Sequence, residues 1–583
     1  VSAPSVGGSI NIVTNSVEAK KGGSVSYAMG NDGYNKIMFN VSTGMSKSGW
    51  ALTLLGAKTW ADGYIQGTEY EAYNWFINIA KRINDNHQLS FTAFGAPQWH
   101  NQRNNNDGLT IEGWQTLAKK YMNGDSPYKY NPTYGYGLNG ERKTSARNAY
   151  HKPQLSLNHL WQIDEKSSLS TALYASIGNG YGYAGQGLES TDRSNWYGAS
   201  YGTLNTTFRH EDGTFAYDEI YKLNQESENG SRMAMSKSYN KHTWIGLLST
   251  YTTKFGKNID FYGGVDFRYY KGVHTNELCD LYGGDYFIDS SSRQNVLVAN
   301  NAAAAAGSAF VNQKLQIGDV VYRDYDGYTV QEGVFAQAEY NKDKLSAFVA
   351  GYWRYDRFYY DADHAKSETV NFLGWTVKGG LNYNLTENHN LFANIGYISR
   401  APFFSGGAFL QSTTSNLTNP DAVNEKVFSA ELGYGFRSKF LTANLNLYHT
   451  KWMNKTMSRG IDLKNGEGVF VDRISINMSG VNAIHQGVEL DFVAKPFNWL
   501  DVRGMFSMGF WRWDCDAKGY FYDSTGQPVK SWTNQGQITH ASGIQAEDHA
   551  SMTIHLNGTK VGNSAQTTAA LGLDAKITKD LSV

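Results

Sequence analysis

From Leu441 to Leu447 the chain alternates strictly: Leu441, Ala443, Leu445 and Leu447 are apolar, and Thr442, Asn444 and Asn446 are polar. A period of two marks an extended strand whose two faces meet different surroundings. Phe428, Ala430, Leu432, Tyr434 and Phe436 alternate in the same way with Ser429, Glu431, Gly433 and Gly435. Val488, Leu490, Phe492 and Ala494 are interleaved with Glu489, Asp491 and Val493. Trp375, Val377, Gly379, Leu381, Tyr383 and Leu385 are interleaved with Thr376, Lys378, Gly380, Asn382 and Asn384. Each run has about the 9–11 residues that a tilted strand needs to cross a bilayer.

The connections sort the architecture. Short polar turns recur at Ser46–Gly49, Asn84–His87, Asp164–Ser167, Phe255–Asn258 and Asn341–Lys344. They continue at Thr386–His389, Arg437–Phe440, Pro496–Trp499 and Thr578–Asp580. Between them lie longer connections, the largest near 98–149, 178–240, 272–328, 400–425, 453–483 and 514–563. Short turns on one side and long loops on the other are the habit of outer-membrane barrels. A β-sandwich array has no reason to keep that parity, and a solenoid would show a fixed repeat. The expected fold is therefore all-β, a transmembrane antiparallel β-barrel. Counting turns gives 18 strands between Gly23 and Ile577, with a nineteenth starting at Asp580–Val583.

Composition agrees. A mean hydropathy of −0.49 without a long apolar run excludes a bundle of membrane helices. It does not exclude a barrel, where only every second residue need be apolar. The 61 glycines, 9 prolines and 39 tyrosines suit long strands with aromatic girdles. The 52 basic and 53 acidic residues balance, so charge gives no reason to expect a nucleic-acid partner. Two cysteines, Cys279 and Cys515, are too few for a disulfide scaffold or a structural zinc site. Both fall on the expected extracellular side, where a bond between them is one option and two free thiols the other.

Gly7-Gly8-Ser9-Ile10-Asn11-Ile12-Val13-Thr14 resembles the last plug strand of the TonB-dependent outer-membrane receptors. Three further stretches resemble barrel segments of that family. They are Arg400-Ala401-Pro402-Phe403, the run Asn424–Tyr434, and Gly487-Val488-Glu489-Leu490-Asp491 followed by Pro496 and Leu500. The resemblance implies residues 1–19 as the end of a plug domain and 20–583 as the barrel. The family has 22 strands around a plugged lumen. By that measure the chain is part of a longer protein, lacking most of the plug, the TonB box and about four strands. An 18-strand barrel made of this chain alone would instead be a porin-like hole.

The resemblance implies energy-coupled import with no bond broken, so neither catalytic residues nor a cofactor is expected. The implied partners are the TonB–ExbB–ExbD system, acting through the N-terminal region, and outer-membrane lipid of a Gram-negative cell. Alternation assigns the lumen-facing side chains. Arg268, Tyr270, Arg354, Arg400, Trp511 and Trp513 face inward near the outer end, and Phe403 and Phe404 open the next loop. These are the candidate ligand contacts, because an arginine fork suits carboxylate, catecholate or phosphate oxygens and aromatic faces stack on flat ligands. Glu489, Asp501 and Arg503 lie lower and are expected to meet the plug. The loop aromatics Trp99, Tyr134, Tyr136, Tyr181, Tyr183 and Trp196 could extend a ligand site, while the scattered histidines, His100 and His364 among them, read as solvated residues. The cargo expected first is an iron–siderophore, haem or a similar metal chelate. The alternatives are a glycan or peptide importer beneath a surface lipoprotein, and a passive porin or adhesin.

Overall fold

The computed structural model describes residues 19–103, 109–197, 199–200, 203–289, 313–362, 365–410, 418–466, 470–523, 526–579 and 581–583. The Gly7–Thr14 stretch, His364 and Asp580 lie outside them. The wall opens with β1 (Gly22–Met29), β2 (Asn35–Ser42), β3 (Trp50–Ala61), β4 (Tyr70–Arg82), β5 (His87–Gly95) and β6 (Gln154–Gln162). It continues with β7 (Ser168–Gly187), β8 (Met233–Phe255), β9 (Ile259–Asp280), β10 (Val320–Lys342), β11 (Leu345–Ala362) and β12 (Val370–Asn384). It ends with β13 (His389–Arg400), β14 (Glu425–Arg437), β15 (Leu441–Lys464), β16 (Phe470–Phe497), β17 (Leu500–Trp513) and β18 (Thr567–Ala575).

Each of the first seventeen strands pairs antiparallel with the next in sequence. The count and the order agree with the turn-counting argument. Beyond β18 the backbone of Val583 exchanges two hydrogen bonds with Ala575, at 2.7 and 2.9 Å, so a further antiparallel pairing starts where expected. Among the described residues β1 pairs only with β2, and β18 only with β17 and with this short return.

Local chemistry closes the short turns. The Asn84 side-chain oxygen accepts from the backbone N–H groups of Asn86 and His87, at 2.9 and 2.8 Å. The Asp164 carboxylate accepts in the same way from Lys166 and Ser167, at 2.7 and 2.8 Å. A short polar side chain thus reverses the chain without help from elsewhere. Asp343 takes a φ of 50° in the tight link between β10 and β11, as a two-residue hairpin turn needs.

The two faces are chemically distinct. Val265 on β9 stands opposite Val334 on β10, and both are exposed on the outer, lipid-side row, as are Val349 and Trp353 on β11. Phe497 stacks on Trp499 at 5.5 Å beside a short turn, and Trp375 stacks on Tyr397 at 5.2 Å toward the other end. The inner face is a hydrogen-bonded polar surface. The Asn78 amide donates to Ser90 and Thr92 at 3.1 and 2.7 Å, and the Tyr352 hydroxyl donates to the Asp266 carboxylate at 3.1 Å.

The strands run further than the alternation indicates. β7, β8, β9, β10, β15 and β16 have 20, 23, 22, 23, 24 and 28 residues. The loops expected over 178–240, 272–328 and 453–483 are therefore shorter, and most of their flanks are strand. Past the bilayer both faces of a strand meet water or protein. The polar alternation lapses there while backbone pairing continues. The connections that remain are folded. Trp196, Phe215, Tyr217, Ile220, Met233, Met235 and Tyr282 form a buried cluster that Cys279 packs against. Ile474, Ile476, Met478, Val481 and Phe521 form another, with Cys515 and Trp513 at its margin. The two cysteines are free thiols in these separate clusters, so the disulfide considered between Cys279 and Cys515 is not formed.

Candidate functional site

Strand parity brings one row of inward side chains together at the outer end of β8–β11. Trp244 on β8 stands opposite Tyr270 on β9, and Arg268 on β9 stands opposite Gln331 on β10. Arg354 and Phe358 follow on β11, two residues to either side of Asp356. Arg400 ends β13, and the chain then turns inward through Ala401, Pro402, Phe403 and Phe404. Arg268, Tyr270, Arg354, Arg400, Phe403 and Phe404 share one cavity of about 380 Å³ with Trp244, Phe358 and Glu425. Six of the eight expected ligand contacts thus meet in one place.

The segment after β13 is held in shape by its own backbone. Ala408 and Phe409 donate to the carbonyls of Phe403 and Phe404 at 2.7 and 3.0 Å. The Asn419 amide donates to the Gly407 carbonyl at 2.7 Å. Phe404 packs against Phe358 and Phe409 at 5.7 and 5.0 Å. Gly327 leaves room for this ring, since a Cβ there would stand 3.0 Å from it. Phe403 points the other way and remains 63% exposed in the cavity mouth.

The three arginines are not equivalent. Both Nε and Nη2 of Arg400 donate to Glu425 Oε2, at 3.1 and 2.7 Å, and Glu425 is buried. Nε of Arg354 donates to Asp356 at 3.0 Å, and Asp356 also accepts from Gln331 at 2.6 Å while fully buried. Their charges are therefore matched inside the protein, and the guanidinium planes are fixed by it. Arg268 has no carboxylate within ion-pair distance among the described residues. It lies 4.7 Å from the Trp244 ring, and its buried Nε has no hydrogen-bond partner. Three arginines set against two carboxylates leave the pocket with one net positive charge, centred on Arg268.

Trp511 and Trp513 lie apart from this pocket. The Trp511 indole donates to the Tyr448 hydroxyl at 2.9 Å and packs beside His485 at 5.6 Å. Trp513 packs against the Ile474–Phe521 cluster. Of the three residues expected to face a plug, Arg503 pairs with Asp574 at 2.8 Å, Asp501 with Lys495 at 3.3 Å, and Glu489 accepts from Asn446 at 3.4 Å. Trp244 and Glu425 belong to the pocket and were not singled out from sequence. Trp244 sits in the run Trp244-Ile245-Gly246-Leu247-Leu248, whose mostly apolar character hides the period of two. Glu425 lies directly opposite Arg400 in the β13–β14 register, a relation that only pairing reveals.

The sequence matches the family model described as TonB dependent receptor-like, beta-barrel over residues 74–574. Among solved structures the chain is similar to the ferric-catecholate import receptor Fiu of E. coli K12. The TM-score is 0.55 at 12% identity, over 97% of this chain and 70% of that one. It is also similar to the siderophore receptor PiuA of Acinetobacter baumannii, with a TM-score of 0.55 at 11% identity over 97% of this chain and 71% of that one. For the ferric yersiniabactin uptake receptor FyuA of Yersinia pestis the TM-score is 0.54 at 8% identity, over 98% of this chain and 74% of that one. At such identities the likeness is one of fold. No curated protein matches the sequence.

Proposed function

The chain belongs to the TonB-dependent receptor β-barrel family, and on that premise we propose that it imports an anionic metal chelate, such as a ferric siderophore or haem, across the outer membrane. The observation that carries the choice of cargo is the pocket around Arg268. It offers a cation that, among the described residues, has no carboxylate within ion-pair distance, on a lumen wall where neighbouring arginines are already matched. An anionic ligand oxygen would satisfy Arg268, and Tyr270, Trp244 and Phe403 would cover the flat parts of the chelate. Arg354 and Arg400, locked by Asp356 and Glu425, would shape the pocket and orient its field.

In this reading the receptor breaks no bond. It holds the chelate at the outer end of the lumen until the TonB–ExbB–ExbD system acts through the plug. Glu489, Asp501 and Arg503 would exchange their present contacts for plug contacts, and the apolar outer row would rest in outer-membrane lipid.

Equilibrium binding to the purified full-length receptor tests the cargo. Ferric catecholate, ferric citrate and haem are compared with neutral oligosaccharides. At least one anionic chelate should bind and the oligosaccharides should not. Arg268→Gln should weaken that binding by roughly ten- to a hundredfold, the worth of a charge-assisted hydrogen bond. Tight binding of a neutral glycan, indifferent to Arg268→Gln, would favour a glycan importer instead.

A further inference from the structure

A second cavity lies on the opposite face of the wall. On β4 the outward row Ile79, Ile77, Trp75 and Tyr73 leads up to Glu71 and Glu69. On β7 the row Leu173 and Ile177 leads up to Tyr181 and Tyr183, and on β8 the row Ile245 and Lys241 leads up to Tyr239 and Lys237. Glu69, Trp99, Arg147, Tyr183 and Lys237 therefore continue the lipid-side face above the bilayer. The connection after β5 adds Tyr134 and Arg142, and together these residues enclose a cavity of about 320 Å³.

Several cations elsewhere on this outward face are matched by a carboxylate. Lys58 pairs with Glu71 at 2.9 Å, Lys241 with Glu277 at 3.3 Å, Lys271 with Asp326 at 2.9 Å and Arg357 with Glu332 at 2.6 Å. Inside the cleft Lys143 pairs with Asp280 at 3.0 Å. Three cations of the same cleft, Arg142, Arg147 and Lys237, are not matched in this way. Among the described residues none has a carboxylate within ion-pair distance, and each lies over a ring instead. The distances are 6.0 Å to Tyr134, 4.2 Å to Trp99 and 4.7 Å to Tyr181. Three buried polar atoms of the lining also lack hydrogen-bond partners: Arg147 Nε, Glu69 Oε2 and Asn101 Oδ1. Buried polar groups are seldom left so, and their concentration in one cavity points to a ligand that completes them.

We propose that this outer-wall cleft binds a sugar-borne oxyanion, a phosphate or carboxylate carried on a hydroxylated ring. The oxyanion would lie among Arg142, Arg147 and Lys237. Ring hydroxyls would donate to Glu69 Oε2 and Asn101 Oδ1, two acceptors that a bare anion cannot satisfy. Tyr134 and Tyr183 would flank the ring. The source is a free solute or the headgroup of an outer-leaflet glycolipid, since the cleft faces outward just above the bilayer. The site does not depend on the import reading, because the chelate pocket opens on the other face of the wall.

Cys279 lines the cleft and reports on it. The full-length receptor carrying Cys515→Ser is treated with an organomercurial, and the rate of Cys279 modification is followed. One arm uses detergent with glucuronate, glucose 6-phosphate, inorganic phosphate or neutral glucose. The other uses nanodiscs with or without a phosphorylated glycolipid. The proposal expects at least a severalfold slowing by the sugar acids or by the glycolipid, weaker slowing by inorganic phosphate, and none by glucose. Slowing in the first arm identifies a free solute, and slowing only in the second a lipid headgroup. Arg147→Gln and, separately, Lys237→Gln at the rim should each remove it. No slowing in either arm, or slowing that survives both substitutions, overturns the proposal.

Discussion

Arg400 and Glu425 show how a single pair can hold a site. Glu425 is 2% exposed, and among the described residues Arg400 is the one cation paired with it. Replacing Arg400 by Met would leave a buried carboxylate unmatched, a loss on the order of 3 kcal/mol. The expected result is faster backbone hydrogen exchange around residues 401–410 and a lower melting temperature. Adding Glu425→Leu should restore most of the stability, which a role confined to ligand contact would not predict. Cys279 gives a second test at this scale. Burial pushes its thiol up to about 12, with Asp280 adding to the rise and Lys237 and Lys143 opposing it. A raised thiol pKa means little thiolate below that value. Iodoacetamide at pH 8 should therefore modify Cys279 far more slowly than an exposed model thiol, with the rate climbing toward pH 10. A rate equal to that of a free thiol would contradict the burial described. Residue roles were partly legible in the sequence. Parity placed Arg268, Arg354 and Arg400 on the inner face, with Asp356 next to Arg354 on the same row, but only the strand register reveals that Glu425 neutralises Arg400.

At the scale of the element, the eight short turns from Ser46–Gly49 to Pro496–Trp499 and the strands they join were legible because their causes are local. Asn84 and Asp164 close their own turns, and the bilayer forces alternation on the strands that cross it. The strand extensions above the bilayer were not legible, because no lipid imposes a pattern there. The buried loop clusters were hidden too, since Trp196, Tyr217 and Tyr282 meet across long stretches of chain. The assignment of faces predicts an asymmetry between adjacent positions. Val265→Arg, on the lipid row, should cost about 2–4 kcal/mol in unfolding from lipid vesicles. Gln337→Arg, on the lumen row of β10, should cost far less. Equal costs would mean that the faces are wrongly assigned.

On the scale of the molecule, the order of the strands follows the order of the sequence throughout the wall, so a local pattern was enough to predict a global topology. The proposed cargo was less accessible. That proposal rests on Arg268, which has no carboxylate within ion-pair distance among the described residues, in a pocket built from β8, β9, β10, β11, β13 and β14, and no local segment of sequence contains that information. We propose above that this barrel is an energy-coupled importer of an anionic metal chelate. The most direct test is uptake of iron-labelled chelate by cells in which the full-length receptor is the sole outer-membrane route. It is measured with and without functional TonB. Accumulation should require both receptor and TonB, and should fall strongly with Arg268→Gln. Accumulation that persists undiminished without TonB would contradict it.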